Sequence, residues 1–451
     1  MEHLVRRMPT VVVHESSRPA VQMSSMIQPL GSVANLTWKR PWHERNVSSR
    51  ELFAVGEDTH RSSWPYFFSP VDALPAELRA ELGGLLARLR TPFLPALESN
   101  AWAAAPGVTS PLHYDAAHNV YSQLTGRKRW LLLSPDDAPR LYPYPRLHPS
   151  TRQSQIDLHA PPERGFDHYR GARGRLRVLE VVLAPGDRLY VPPYWWHHVR
   201  VVGGASAVAV ATYTQSTPMR AYNVVKAHAL PEAIARGCHA DGGARAADGL
   251  ASAHRRASCL SALRAYILAL AALAPPGFGM SSVVDCSFAC IVSRRCVCFI
   301  EPDAYERRDG VLATESVRSV DDVWSVDVGG SMAAEPGMVA VRELLETRYR
   351  HLDEPSVVEG IPQMMASARA RLRAQLADGM AHLPPSAVRR VRAHARALRL
   401  HVAALPVKGD GVVTPAIWRT EMLSLIEDVA SAAVGASEVE AVLAWIAGHA
   451  V

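Results

Sequence analysis

Cysteine is scarce in this chain, with six in 451 residues. Four of them, Cys286, Cys290, Cys296 and Cys298, fall close together, but without the paired Cys-x-x-Cys spacing of structural zinc sites. A zinc or disulfide cluster is possible, but ordinary thiols are the expectation. Long apolar runs are missing as well. No such run follows Met1 to Arg7, so neither a secretory signal nor a membrane anchor is expected. The most apolar helical stretch, Leu260 to Leu273, is broken by Arg264 and is too short to cross a bilayer. An intracellular protein, cytoplasmic or nuclear and without a membrane partner, is therefore expected. Neither sign of charge dominates: 49 Lys and Arg against 43 Asp and Glu leave a formal +6. Such an excess fits an acidic or nucleic-acid partner, and equally a solvated surface. The hydrophobic share of 48% and charged share of 20% are those of a globular protein, and the length allows about two or three domains.

What the chain does have is Ser110-Pro111-Leu112-His113-Tyr114-Asp115, to be read with Trp195-Trp196-His197-His198. Residues two apart on a β-strand share a face, so His113 and Asp115 can offer an imidazole nitrogen and a carboxylate oxygen to one metal ion. His-x-Asp alone is a weak signal, because most such pairs are surface or capping residues. A third ligand is needed, and alternation chooses it. On a strand from Trp195 to Val202, His197, Val199 and Val201 share one face, while His198 shares the other with Arg200, which belongs in solvent. His197 is therefore the expected inward residue. Two His and one carboxylate with an open face is the ligand set of non-haem Fe(II) oxygenases.

Around these residues the pattern is of short strands, expected from about Val108 to Tyr213. Val120 to Leu124 and Lys128 to Leu133 read as a hairpin joined through Thr125-Gly126-Arg127, and Ala184-Pro185-Gly186-Asp187 suits a type II turn. Strands over Leu176–Leu183, Arg188–Val191, Val199–Val202 and Ala205–Thr214 would complete a small barrel or jelly roll. Upstream, Trp64 to Phe68 is an aromatic cluster, and Leu78, Leu82, Leu85, Leu86 and Leu89 trace a helical stripe.

Five stretches together are recognisable: Ser110 to Asp115, Gln123 to Trp130, Leu141-Tyr142-Pro143-Tyr144-Pro145, Arg152 to Asp157, and Tyr194 to His198. They resemble the JmjC-type cupins, and within that group the asparaginyl hydroxylases most. The resemblance covers roughly residues 60 to 225. It implies a mainly β core, a double-stranded β-helix (cupin/JmjC jelly roll) with an α-helical C-terminal extension, binding Fe(II) and using 2-oxoglutarate and O2 as co-substrates. His113, Asp115 and His197 would be the metal and catalytic set. Lys128 matches the family's cation for the distal carboxylate of 2-oxoglutarate, although a lysine on a hairpin strand can also be a surface residue. Tyr66 and Ser110 match its hydroxyl partners, with Ser110 standing where the family has Thr. Asn119 matches a residue of the co-substrate pocket, with Tyr121 as its wall. Thr212 stands where the resembling enzymes have Asn near the chelating end of the co-substrate, and Thr214 where they have Trp. Arg152 and Gln153 match residues that contact the substrate. The implied activity is hydroxylation of a protein or peptide side chain, asparaginyl in type, releasing succinate and CO2. The alternatives are an RNA-modifying or histone-directed oxygenase and a catalytically silent scaffold.

The expected division is an irregular lead-in over 1–60, a catalytic domain over 61–220, helices over 221–275, an irregular Cys-containing segment over 276–335 and a helical region over 336–451. In the resembling enzymes helices after the barrel form a homodimer interface, so those of 221–275 are candidates for the same. Helices are expected over Ala221–Arg236, Leu260–Leu273, Val339–Tyr349, Pro362–Leu376, Ser386–Leu405, Thr414–Val434 and Ser437–Ala447, the last with a Ser437-x-x-Glu440 capping box. Arg389, Arg392, Arg396 and Arg399 form a basic stripe, readable as a solvated face or as a nucleic-acid contact.

Overall fold

A computed structural model describes residues 8–24, 28–54, 62–89, 96–228, 234, 238, 249–272, 290–292, 296–298, 334–352, 358–377, 385–403 and 415–449. Its strands, in chain order, are β1 (Thr10–Ser16), β2 (Thr37–Trp38), β3 (His43–Ser48), β4 (Trp64–Pro70), β5 (Ala96–Ala104), β6 (Thr109–Tyr114), β7 (His118–Thr125) and β8 (Arg127–Leu133). They continue as β9 (Leu179–Leu183), β10 (Arg188–Val191), β11 (Trp196–Val202), β12 (Ala207–Thr214), β13 (Cys290–Val292), β14 (Cys296–Cys298) and β15 (Val358–Glu359). One sheet runs β14-β13-β10-β7-β12-β5-β4-β1-β3 and a second runs β6-β11-β8-β9. The pairs are antiparallel throughout both sheets. Tyr121, Leu189, Val191, Ala209 and Ala211 from the first share one apolar core with Trp130, Leu132, Leu183 and Val199 from the second. The expected jelly-roll core with a helical extension is thus the architecture of the chain.

Three details differ from expectation. β7 and β8 are not a hairpin, because they belong to different sheets. Gly126, at φ +66°, turns the chain from one sheet into the other, and a Cβ there would lie 2.4 Å from the Ser206 carbonyl oxygen. The lead-in is not irregular: β1 pairs with both β3 and β4 and so extends the large sheet. The capping box is not formed, since Glu440 is drawn to Arg369 and the last helix, Val439–Ile446, has no side-chain cap.

The C-terminal half is a helical layer with its own core. Tyr266, Ile267 and Leu270 of the Gly249–Ala271 helix pack with Val341, Leu344, Ile426, Val429, Val442 and Leu443, all nearly inaccessible. The apolar side of that helix is covered by the chain's own helices. Cys238 and Cys259 form a disulfide at its edge, a pairing that the free-thiol expectation lacked. Of the clustered cysteines, Cys290 and Cys298 face each other in the β13–β14 register, while Cys286 lies outside the described residues, as does most of 276–335. Among the described residues no single helix is long and apolar enough to cross a membrane; Ala416–Val434 and Ala436–Ile446 meet the length and composition only as a pair bent by 115°.

The layer is fastened by buried ions as well as by apolar contact. Arg419 makes a two-pronged contact with Glu343, at 2.9 and 2.5 Å, with both side chains buried. Glu427 is fully buried and takes the Arg348 guanidinium, the Tyr349 hydroxyl and the Arg146 backbone N–H. Such pairs specify a docking geometry, because removing one partner leaves a buried charge uncompensated.

Candidate metal centre

β6 and β11 are neighbours, and their register sets His197 directly opposite His113. Asp115 follows the end of β6, two residues on from His113. The ligand atoms of His113, Asp115 and His197 lie within 4.8 Å of one another. Each imidazole is oriented by its own backbone: His113 Nδ1 is 2.7 Å from the Pro111 carbonyl and His197 Nδ1 is 3.0 Å from the Trp195 carbonyl. A carbonyl only accepts, so both Nδ1 atoms carry the proton and both Nε2 lone pairs are free for a cation. His197 Nε2 stands 3.7 Å from Asp115 Oδ2, and Asn119 Nδ2 donates to the same oxygen at 3.3 Å. Burial, with the nearby His113 adding to it, pushes the His197 pKa down to about 4, so this ring stays neutral near pH 7, as a ligand must. Trp130 stacks against it at 5.5 Å between ring centres.

His198 is not in solvent. The slip between β11 and β6 puts its extra residue in β6, whereas β11 keeps an unbroken register with β8, so alternation holds and His198 lies on the outer face with Arg200. It is buried beside His159, 5.2 Å away between ring centres, and burial lowers its pKa to about 4.

On β8, Lys128, Trp130 and Leu132 point inward and are buried. Lys128, 3% exposed, donates from Nζ to the Tyr121 hydroxyl at 2.7 Å and has no carboxylate partner among the described residues. Burial lowers its pKa to about 7. The Tyr66 hydroxyl lies 3.3 Å from Ser110 Oγ, and burial raises the pKa values of Tyr66 and Tyr121, which keeps both as neutral hydroxyls. Asn119 is buried with Oδ1 unpartnered. An anion that accepts from Lys128 and these hydroxyls while chelating a metal at the triad is the ligand such groups suit.

Thr212 does not join them. The register pairs it with Val120 and Ser99, on the face of the sheet opposite that of Asn119 and Tyr121, and its hydroxyl lies 3.1 Å from Ser99 Oγ. Thr214, paired with His118, is on that same outer face. Ala211 and Tyr213, paired with Tyr121 and Asn119, point inward instead. Tyr213 faces Asp115, Tyr66 and Tyr121, and burial raises its pKa. The residues matched to the family in this strand were one position out of step. The alternation Ala207, Ala209, Ala211, Tyr213 was the available signal. Gln153 pairs with His113 across an isolated bridge, its Nε2 donates to the Met23 carbonyl, and its Oε1 is buried without a partner. Arg152 is at φ +66°, and its carbonyl accepts from the Tyr114 N–H at 3.0 Å. Arg389, Arg390 and Arg392 are exposed on the Pro385–Ala403 helix, with no ion pair among the described residues.

Residues 13–218 match the family model described as Cupin-like domain. Over 104 residues the chain is 35% identical to JmjC domain-containing protein D of Dictyostelium discoideum, covering 23% of this chain and 22% of that one. It is 36% identical over 109 residues to Jumonji C domain-containing protein 5 of Drosophila melanogaster (23% and 25%), and 34% over 105 residues to Lysine-specific demethylase 8 of Xenopus tropicalis (23% and 22%). The chain thus spans about a quarter of the length of these relatives. Matched family model, paired antiparallel sheets and inward His-Asp-His set agree: residues 13–218 have a cupin-like fold and include a stretch similar in sequence to JmjC proteins.

Proposed function

We propose that this protein is an Fe(II)- and 2-oxoglutarate-dependent oxygenase that hydroxylates a protein side chain, asparaginyl in type, and releases succinate and CO2. The observation that carries the reading is the pairing, on the inner surface of one barrel, of a three-ligand set with free Nε2 atoms and a buried lysine that has no acidic partner among the described residues. In this reading His113, Asp115 and His197 hold the iron, and Lys128, Tyr66 and Ser110 take the distal carboxylate of 2-oxoglutarate. When bound, the metal supplies activation of O2 coupled to oxidative decarboxylation of the co-substrate. The chain's own part is orientation and exclusion of water. The backbone carbonyls of Pro111 and Trp195 fix the two imidazoles, Asn119 steadies Asp115 by its N–H, and Trp130 closes the side of His197.

An asparaginyl substrate is supported by Gln153, whose buried Oε1 is free to accept from a side-chain amide. The same oxygen accepts from an ammonium or guanidinium, and one relative carries the name of a lysine-specific demethylase. A nucleic-acid substrate is a second reading, favoured by the exposed Arg389, Arg390 and Arg392. The test is succinate formation from 2-oxoglutarate by the purified chain with Fe(II), ascorbate and O2, with peptides presenting Asn, Lys or Arg and with RNA, beside a His197→Ala control. Succinate that rises with an Asn peptide and vanishes in the control supports the reading. Stimulation by RNA or by basic peptides replaces the substrate, and failure to bind metal or 2-oxoglutarate leaves a silent scaffold.

A further inference from the structure

The registers of β8, β11 and β6 set the inward side chains of the small sheet in rows. Leu132, His197 and His113 stand side by side in the row of the metal ligands. One step along the barrel come Trp130, Val199 and Ser110, and a further step brings Lys128 and Val201. Residues two apart on a strand are about 7 Å apart along it, so Trp130 occupies the level between the metal ligands and the lysine. Its ring contacts agree with that placement. It stacks on His197 at 5.5 Å between centres, inclined by 27°, and meets the ring of Tyr121 edge-on at 4.7 Å. The Tyr121 hydroxyl is the one that takes the Lys128 ammonium.

Trp130 is 2% exposed, and its Nε1 has no hydrogen-bond partner among the described residues. An indole nitrogen only donates. Of the buried side chains clustered with it, Leu183, Leu189, Val191, Val199, Ala209 and Ala211 offer no acceptor. A buried donor left unpaired is costly and calls for an explanation, and an anion lying between the metal ligands and Lys128 supplies one. A second inward indole gives the comparison. Trp102, paired with Ala209 on the large sheet, also has an unpartnered Nε1, but it is half-buried and packs on Phe68 and Tyr66, at 4.4 and 5.6 Å. It stands outside the rows that link the metal ligands to Lys128.

We propose that the indole N–H of Trp130 donates to an oxygen of the 2-oxoglutarate lying between the triad and Lys128, and so belongs to the co-substrate's binding set. The proposal rests on reading His113, Asp115 and His197 as metal ligands and Lys128 as the cation for the anion. It gives Trp130 a polar task in addition to its stack on His197, and it explains why an indole stands where a phenyl ring would fill the same apolar cluster without an unpaired donor.

The test is calorimetric titration of the full chain, loaded with Mn(II), with 2-oxoglutarate. Trp130→Phe keeps an aromatic ring beside His197 and removes the N–H. It should weaken 2-oxoglutarate binding by roughly ten- to a hundredfold, the range for a bond to a charged acceptor, and leave the affinity for Mn(II) alone unchanged. Trp102→Phe should bind both like the parent. The NMR signals of the indole N–H groups, recorded with Zn(II) in place of Mn(II), give a second readout. One of the ten, the one missing from Trp130→Phe, should move downfield when 2-oxoglutarate is added. Unaltered 2-oxoglutarate affinity in Trp130→Phe, or no moving indole signal in the parent, overturns the proposal. A loss confined to Mn(II) affinity assigns Trp130 to His197 alone and overturns it too. Should Trp130→Phe not fold, the moving signal is assigned by elimination with Trp102→Phe and Trp195→Phe: one that survives in both supports the proposal, and one that vanishes in either overturns it. Failure of the parent to bind 2-oxoglutarate, or binding unaffected by Lys128→Met, instead overturns the co-substrate reading itself.

Discussion

Lys128→Met should make the ligand-free protein more stable at pH 6 while abolishing its response to 2-oxoglutarate. The side chain is buried, and its only polar contact among the described residues is the Tyr121 hydroxyl at 2.7 Å. Burial brings its pKa from 10.5 to about 7, which corresponds to a ceiling of roughly 5 kcal/mol against the charged form in the fold. The sign follows from proton counts. Between pH 7 and 10.5 the unfolded chain keeps the proton that the folded chain sheds, so the stability of the parent rises with pH across this window. The full penalty applies below about pH 7 and fades as the pH approaches 10.5. Methionine removes it but leaves the Tyr121 hydroxyl unpaired, at about 1–3 kcal/mol. A net gain of about 2–4 kcal/mol at pH 6 is expected, shrinking as the pH is raised. In the parent, 2-oxoglutarate with Mn(II) at 100 times its Kd should add about 2.7 kcal/mol, and in the variant nothing. Urea unfolding at pH 6, 8 and 9.5, with and without the anion, reads all of these. A Lys128→Met protein less stable than the parent at pH 6, or equally stabilised by 2-oxoglutarate, would refute the view that Lys128 is held for an anion.

Asp115→Ala and His113→Ala should each abolish turnover and divalent-metal binding, whereas Arg389→Ala, on a distant exposed helix, leaves both unchanged; calorimetric titration with Mn(II) checks the binding. Thr212→Val should leave 2-oxoglutarate affinity intact and cost about 1 kcal/mol through the lost Ser99 bond, measured by the urea midpoint, and a large loss of affinity would return Thr212 to the pocket. Gly126→Ala, with φ at +66° and a Cβ forced against the Ser206 carbonyl, should cost at least about 2 kcal/mol; an unchanged midpoint would mean that the sheet-to-sheet corner relaxes freely. Glu343→Gln leaves the buried Arg419 without its counter-charge and should destabilise by about 3–5 kcal/mol, read in the same titration.

The legible parts were those governed by a local period. His113 and Asp115 share a face because a strand repeats every two residues, and that rule needs no knowledge of the neighbours. Helices such as Pro385–Ala403 were readable for the same reason, with Val391, Ala395 and Leu398 buried on one side. Where a second chain segment decides the outcome, the pattern failed. Thr125-Gly126-Arg127 has the turn chemistry of a hairpin and of a sheet corner alike, and only the strands it meets distinguish them. Ser437 and Glu440 have capping-box spacing, but Arg369 competes for the carboxylate. β3, with its sequence His-Glu-Arg-Asn-Val-Ser, has no apolar alternation and becomes a strand because β1 offers it a paired edge.

Thr212 and His198 are instructive because alternation puts both on the outer face of their strands while other segments decide what covers them. In β12 alternation was the better guide: the small residues Ala207, Ala209 and Ala211 mark the inward face, and continuing them gives Tyr213. The family resemblance at Thr212 runs against that signal, and the register puts Thr212 on the outer side of the sheet. In β11 alternation chose His197 as the inward ligand and put His198 on the outer face with Arg200, and the unbroken register with β8 agrees; what it could not give is that His159 covers His198 there. A period-two argument therefore assigns a face and not its exposure, which depends on the segments packed against that face. Tyr194, just before β11, is at positive φ and its N–H donates to the Asp115 carbonyl, a conformation that no periodicity announces. Its ring lies in a cluster with Tyr114, Trp196 and Ile417, and Ile417 comes from a helix more than two hundred positions along the chain, which is why the barrel's sequence alone gave no sign of it.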